Sequence, residues 1–360
     1  MSAPAGSAHS VASTLEPTPH RWWSNAGWRR IGTKGDFRYV DADGRPITDP
    51  GRLERIRKMA IPPAWTEVWI SPDPSAKLQA TGIDAAGRRQ YRYSDDFRRH
   101  QDQLKFDRLT RFAGMLPILR MVMTKHMDAE TLGRDRVTAI ALRLIDEGWF
   151  RVGNERYAQR DGTYGITTLL KQHVRVHRPA LQLAFVGKHH KWIERSLVDE
   201  ELALAVEGLK TVPGGPRLFR YREGGELSNL TSQRLNAYVH RHGGEEFTAK
   251  DFRTWGGTLA AAIGFAERGP AASPGAQKRV IAAVMHEVAD RLGNTPAVAR
   301  ASYVSPAVVD EYVEGRTIAD YRPRGLRVVG GRETLLNPEE AALAGLCEGW
   351  HQRHQRVQAA

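Results

Sequence analysis

The sequence predicts an α+β protein of two domains, a strand-rich first domain followed by a larger, mainly helical one. Three observations carry this expectation. Short β-prone runs broken by Gly, Pro and Asp fill the chain up to about residue 94. From about residue 98 the apolar residues switch to helical spacing. The 360 residues are also enough chain for two domains with sizeable cores.

Taken in order, residues 1–20 read as a small, polar, disordered tail. They lack the basic start and apolar block of a secretory signal. FRYVDADGRPI (37–47) places an Asp-Gly turn between β-prone runs and predicts a hairpin. GRLERIRKMAIPP (51–63) predicts a short helix with Leu53, Ile56 and Ala60 on one face, stopped by two prolines. TEVWIS (66–71) reads as a strand, and residues 77–94 as two strands around a Gly-containing turn. A long helical stretch follows from residue 98, with a break expected at Pro117. In RVTAIALRLIDEG the apolar residues Val137, Ile140, Ala141, Leu144 and Ile145 follow helical spacing. Extended runs are expected at 165–169, 173–177 and 181–186, the last joined to KWIERS (191–196) by a tight Gly-Lys-His-His turn. From about 198 the chain reads as mainly helical, with Gly- and Pro-rich loops at 212–216, 268–275 and 322–331. The expected division is a tail (1–20), a first domain (21–108), a second domain (109–345) and a C-terminal tail (346–360).

Lys and Arg outnumber Asp and Glu by 53 to 41, a net charge of +12. Such an excess favours a polyanionic partner, with nucleic acid first. The competing reading is a merely basic surface. No apolar run approaches the ~20 residues that span a bilayer, and no basic amphipathic helix stands out, so no membrane partner is expected. The lone cysteine, Cys347, excludes an internal disulfide framework and a Cys-cluster zinc site. A cytoplasmic, nucleoid-associated protein is the simplest expectation.

Four segments carry candidate chemistry, and each has a bland alternative. In WFRVGNERY (149–157), Arg151 follows a helix end among aromatic neighbours. Its planar fork of donors suits phosphate oxygens; a structural ion pair is the alternative. In FVGKHHKW (185–192), Lys188 sits at a hairpin tip, where an ammonium can protonate a leaving oxygen. A solvated turn lysine is the alternative. His189 and His190 have no third ligand at metal-binding spacing. In TAKDFRTWGG, Thr248 and Asp251 resemble a capping box, and Lys250 and Arg253 share a helix face. That face can be catalytic or simply solvated. In LGNTPAVARASYV, Tyr303 follows Asn294 by nine residues. A phenol ionises near pH ~10, so it needs help to act as a nucleophile; otherwise it is a half-buried packing residue. A fifth stretch, GRRQYRYSDDFRR (87–99), interleaves Arg88, Arg89 and Arg92 with Tyr91 and Tyr93. On a strand the two tyrosines point to one face and Arg92 to the other. Such a strand can meet phosphates or base edges in a groove, or part of it can be a solvated face.

The order of these segments resembles the type IB DNA topoisomerases of the compact poxvirus and bacterial kind. FRVGNERY, FVGK, KDFRTWGG and LGNTPAVARASYV are similar to that family's active-site segments, and IPPAWTEVWI, GRRQYRY and KFDRL to its bacterial members. The resemblance runs from about residue 25 to 320. It implies a small, mainly β N-terminal domain and a larger, mainly α catalytic domain of the type IB topoisomerase and tyrosine recombinase kind, clamped around duplex DNA. It implies that Tyr303 is the nucleophile, Arg151 and Arg253 the active-site arginines and Lys188 the general acid. Asn294 takes a position that is histidine in the poxvirus enzymes. Lys250, Tyr157, Arg88, Arg89, Tyr91, Arg92 and Tyr93 are expected to touch DNA. It implies a 3′-phosphotyrosyl intermediate, strand swivelling and religation with neither ATP nor a divalent metal, by a monomer.

Two rivals share parts of this pattern. Tyrosine recombinases use the same Arg, Lys, Arg and Tyr logic but typically carry His-x-x-Arg where this chain has Lys250 and Arg253. A DNA-binding clamp without catalysis would not need competent residues at all five active-site positions.

Overall fold

The computed structural model describes residues 26–321 and 336–359, with side chains described outside 99–105 and 354–359. The tail expected at 1–20 and the loop at 322–331 lie outside the described residues. The chain divides after Leu104 into two compact units, where sequence reading put the boundary after residue 108. The first is a small β unit and the second a larger, mostly helical one, so the protein is α+β.

The first unit is a five-stranded antiparallel sheet in the order β2-β1-β3-β4-β5. Its strands are β1 (Trp28–Ile31), β2 (Arg38–Val40), β3 (Thr66–Ile70), β4 (Leu78–Ile83) and β5 (Arg89–Tyr93). After β2 the Asp41 carboxylate accepts the backbone N–H groups of Asp43 and Arg45, which closes the Asp-Gly turn. Helix α1 (Pro50–Lys58) starts on the side chain of Asp49, which accepts from the Arg52 amide. Ile56 of α1 joins Trp28, Ile47, Val68, Ile70 and Ala80 in the core. Ala60 does not extend the apolar face as expected: α1 stops at Lys58, and Ala60 lies beyond it, exposed, at φ 47°.

Helix α2 (Asp95–Met127) continues through Pro117, which therefore does not end it. Phe112, Leu116, Leu119 and Met123 are fully buried on either side. Burial worth about 1.5–3 kcal/mol per large side chain outweighs the roughly 3 kcal/mol cost of an internal proline. Helix α3 (Arg134–Gly148) is buried along its length from Val137 to Asp146. Helix α4 (Glu155–Asp161) follows. Residues 166–168 form a 3₁₀ turn, not the extended run expected at 165–169. Gly165 there packs so close to the Arg151 carbonyl and Gly153 that a Cβ would come within 2.6 Å of both. Strands β6 (Val174–His177), β7 (Ala180–Val186) and β8 (Trp192–Val198) form an antiparallel sheet. Helix α5 (Glu200–Thr211) and the hairpin of β9 (Arg220–Glu223) and β10 (Glu226–Asn229) lead into a helical array. The array comprises α6 (Ser232–Gly243), α7 (Ala249–Arg268), α8 (Pro274–Leu292), α9 (Pro296–Ser302) and α10 (Pro306–Val313).

The C-terminal tail expected from residue 346 is instead the body of helix α11 (Pro338–Ala359). Ala342, Leu343, Leu346 and Cys347 recur at helical spacing and are buried. Glu340 of α11 accepts from Arg120 of α2 at 2.8 Å and from the indole of Trp255 of α7 at 3.0 Å. None of the described helices is long and apolar enough to cross a membrane.

Candidate active site

The site is assembled from four chain segments, beginning where α3 ends. Trp149 caps α3 in the left-handed region at φ 52°, an uncommon conformation for a bulky residue. Gly256 of α7 makes room for it, since a Cβ there would lie 2.3 Å from the indole ring. The Trp149 carbonyl accepts a hydrogen bond from Arg253 Nη1. Two residues on, Arg151 donates to the carbonyls of Leu292 and Gly293, both at 3.3 Å, and to Asn294 Oδ1 at 2.5 Å.

Helix α7 contributes the second arginine. It opens on the expected capping box: the Thr248 amide donates to the Asp251 carboxylate at 2.8 Å. Asp251 is itself buried and paired with Arg108 at 2.7 Å. Lys250 and Arg253 do not share an environment, for Lys250 is exposed and Arg253 is 4% exposed. Arg253 Nη2 donates to the Leu292 carbonyl at 2.9 Å. Burial, followed by repulsion from Arg151, lowers the Arg253 guanidinium to about 10. Arg253 Nε is buried without a hydrogen-bond partner.

The last turn of α8 gathers both arginines. Gly293, at φ 62°, ends the helix, and the Asn294 amide turns back to the Ala289 carbonyl at 2.8 Å. This is a glycine-dependent helix stop that returns the chain across its own end. Its late carbonyls are orphan acceptors with partial negative charge, which suits arginine. The turn fixes Asn294 with its oxygen held by Arg151 and its Nδ2 buried and unpartnered.

Helix α9, capped by Thr295 at one end, has Tyr303 at the other. The Tyr303 carbonyl accepts from the Thr258 hydroxyl at 3.0 Å. A Cβ on Gly257 would sit 3.0 Å from that carbonyl and 3.1 Å from Tyr303 Cβ. The Tyr303 ring lies 5.2 Å from the Arg253 guanidinium. Burial opposes ionisation of the phenol. The nearby Arg253 guanidinium, then the charges of Arg151 and Lys250, outweigh burial and hold it below the ordinary phenol value.

Lys188 stands at the β7–β8 turn, exposed, and makes no hydrogen bond or ion pair among the described residues. It lines one cavity with Arg151 and Arg253, of which Tyr303 is not a lining residue. Arg151 thus holds Asn294, Arg253 lies over the Tyr303 ring, both arginines share the Leu292 carbonyl, and Lys188 lines a cavity with the two arginines.

The other candidates are more scattered. Tyr91 and Tyr93 of β5 project from one face, 41% and 42% exposed, with rings stacked at 6.2 Å. Arg92 turns the other way and donates to the Ala60 carbonyl at 2.8 Å. Arg88 pairs with Asp84 at 2.8 Å and Arg89 with Glu67 at 3.4 Å. Tyr157 is half-buried on α4, with Arg160 over its ring at 5.8 Å.

Among the described residues one group could hold a metal: His126, Asp135 and His242 bring ligand atoms within 4.8 Å of one another. Arg241 already serves it, donating to Asp135 at 2.5 Å and to His242 Nε2 at 3.0 Å.

Sequence reasoning did not single out Trp149, Gly256, Gly257 or Thr258. The paired glycines in a helix interior were a readable sign of close packing. The left-handed turn at Trp149 carries no sequence sign.

Comparison with known proteins identifies the family. Residues 94–318 match the family described as eukaryotic DNA topoisomerase I, catalytic core. Residues 36–84 match the bacterial DNA topoisomerase IB N-terminal domain. DNA topoisomerase 1B of Acanthamoeba polyphaga mimivirus is 32% identical over 293 residues, covering 79% of this chain and 86% of that protein. DNA topoisomerase 1B of Vaccinia virus (strain Copenhagen) is 21% identical over 282 residues, covering 76% and 86%. The chain belongs to the type IB DNA topoisomerase family. It is accordingly an isomerase, and DNA is its substrate.

Proposed function

We propose that the chain relaxes supercoiled duplex DNA by transient cleavage of one strand through Tyr303, with its two units closing as a clamp around the duplex. One observation carries this reading. Two buried donors, Asn294 Nδ2 and Arg253 Nε, lack any partner beside a tyrosine whose phenol is held below its usual pKa. Buried donors are almost always satisfied, and two of them converging with two arginines and a tyrosine suit an anionic acceptor brought by the substrate. A backbone phosphate of the DNA substrate is the acceptor proposed.

In the proposed step Tyr303 gives its phenolic proton to solvent and its oxygen bonds to phosphorus. The P–O5′ bond breaks, and Lys188 gives a proton to the departing 5′ oxygen. Arg151, Arg253 and Asn294 donate to the nonbridging oxygens, where charge builds up in the transition state. The covalent link conserves the bond energy while the free strand swivels, and the 5′ hydroxyl then attacks back. The reaction needs no ATP. The fixed cations of this residue set supply the charge stabilisation, so the reading requires no divalent metal. The exposed Tyr91 and Tyr93 and the basic residues Arg88, Arg89, Arg92 and Lys250, with Tyr157, are proposed to meet the duplex. The protein is proposed to act as a monomer in the cytoplasm, on the nucleoid.

The test is incubation with supercoiled plasmid in EDTA without ATP. The wild type is expected to relax the plasmid, and Tyr303→Phe to leave it supercoiled. Activity that survives Tyr303→Phe, or a wild type that needs ATP, would overturn the reading.

A further inference from the structure

We infer that Lys191 and Arg195 are positioning residues that latch the β7–β8 hairpin onto the last turn of α8 and thereby hold Lys188 at the leaving oxygen. The inference rests on the proposed role of Lys188 as general acid.

Lys188 has no anchor of its own among the described residues, so its position depends on the hairpin that carries it. That hairpin closes tightly: the Gly187 amide donates to the Lys191 carbonyl at 2.8 Å, and His189 and His190 both take positive φ, at 63° and 55°. Below the turn, β8 is a half-exposed strand whose residues alternate between exposed and intermediate. Apolar burial alone does not fix it.

What fixes it is a strip of period two. Lys191, Ile193 and Arg195 are alternate residues and so face the same side of the strand. Lys191 Nζ donates to the Asn294 carbonyl at 3.0 Å. Arg195 Nη2 donates to the carbonyls of Asp290 at 3.0 Å and Arg291 at 2.9 Å. Between them, Ile193 Cδ1 lies 3.3 Å from where a Cβ on Gly293 would stand. Residues 290–294 therefore receive the strip in register. Trp192 and Glu194, on the opposite face, are exposed.

The same turn receives Arg151 and Arg253 on the Leu292 and Gly293 carbonyls. It is thus a shared reference for the proposed acid and for the arginines. Basic side chains near a DNA site are usually read as phosphate contacts. Here the partners are backbone carbonyls of the protein, which argues for a role inside the fold.

The test uses a suicide duplex in two forms, one with a normal phosphodiester and one with sulfur replacing the bridging 5′ oxygen. A thiolate leaves without being protonated, so the sulfur substrate bypasses any defect in delivering the proton. On the normal duplex, Lys191→Met, Arg195→Met and the double variant are expected to cleave about 10- to 100-fold more slowly, the scale of a small misplacement of a reacting group. DNA affinity and its salt dependence are expected to stay at the wild-type values. On the sulfur duplex each variant is expected to match the wild type. Adding Lys191→Met to Lys188→Ala should slow cleavage no further than Lys188→Ala alone. Lys191→Arg, which keeps a donor of similar reach, should recover most of the rate.

Equal slowing of the Lys191 and Arg195 variants on both duplexes, with Lys188→Ala rescued, would overturn the latch while leaving the general acid standing. Reduced affinity with a shallower salt slope would make the two residues phosphate contacts and also overturn it. If Lys188→Ala itself gains nothing from the sulfur substrate, the general-acid reading falls, and the latch with it.

Discussion

At the scale of single residues the sharpest feature is the division of labour within one amide. Asn294 gives its oxygen to Arg151 and keeps Nδ2 unpaired. An amide does not titrate near neutral pH, so its proposed part is a hydrogen bond to phosphate and not proton transfer. Asn294→Ala is expected to slow single-turnover cleavage by roughly 10- to 1000-fold, as for other donors to a developing oxyanion. Asn294→His, which also offers a ring N–H, should keep substantial activity. A second expectation concerns a residue with no chemistry. Gly257→Ala would press a methyl against the Tyr303 carbonyl at 3.0 Å and Leu292 Cδ1 at 3.0 Å. The backbone cannot yield as a flexible side chain can, so the variant should lose about 1–3 kcal/mol of stability, the usual overpacking cost. It should lose cleavage out of proportion to DNA binding, measured on the same suicide duplex. The five candidate residues were legible because their types suit phosphate chemistry and their order along the chain resembles that of a known family. Trp149 and Gly257 were not, because their contributions are a backbone torsion and a missing side chain, defined only against distant residues.

At the scale of elements, propensity succeeded where local chemistry decides. The Asp-Gly turn after β2 and the capping box of α7 were both written in short stretches. It failed where distant packing decides. Pro117 stays helical because α2 is buried around it, and α11 is a helix because its apolar stripe finds a partner surface. Polar contacts also hold α11. Glu311 of α10 is 1% exposed and accepts from Arg316, from Tyr321 and from Arg353 of α11. Burial opposes its ionisation, but those three hydrogen bonds outweigh it and hold the carboxyl down to about 2. The folded state therefore binds this proton less readily than the unfolded chain, whose glutamate titrates near pH ~4.3. The associated stability is complete above that value and is lost as pH falls towards 2. It amounts to about 3 kcal/mol at roughly 1.4 kcal/mol per pH unit. Thermal unfolding across this acid range should show the wild type losing stability steeply. Glu311→Gln should start lower at neutral pH and follow a flatter course.

At the scale of the whole molecule, the charge of +12 predicts how it meets DNA. Many of its arginines are already engaged with carboxylates or carbonyls, as Arg88, Arg120, Arg195 and Arg241 are. The excess remains as a field that displaces counterions from the duplex. Affinity should fall by about 10³-fold or more between roughly 50 and 200 mM salt, as neutralisation of six or more phosphates requires. A plot of log affinity against log salt should be linear and steep. Lys250→Ala should make it shallower by about one phosphate if that lysine touches the backbone.

The last turn of α8 also bears on how much the protein must change when DNA arrives. Its carbonyls hold Arg151 and Arg253 by their terminal nitrogens, yet leave Arg253 Nε and Asn294 Nδ2 open. Under the proposed function these two donors would meet a phosphate without breaking an internal hydrogen bond. On that proposal, the reorganisation that water would have to undergo around a developing negative charge would be completed during folding, when a glycine ends a helix and turns its carbonyls towards two arginines.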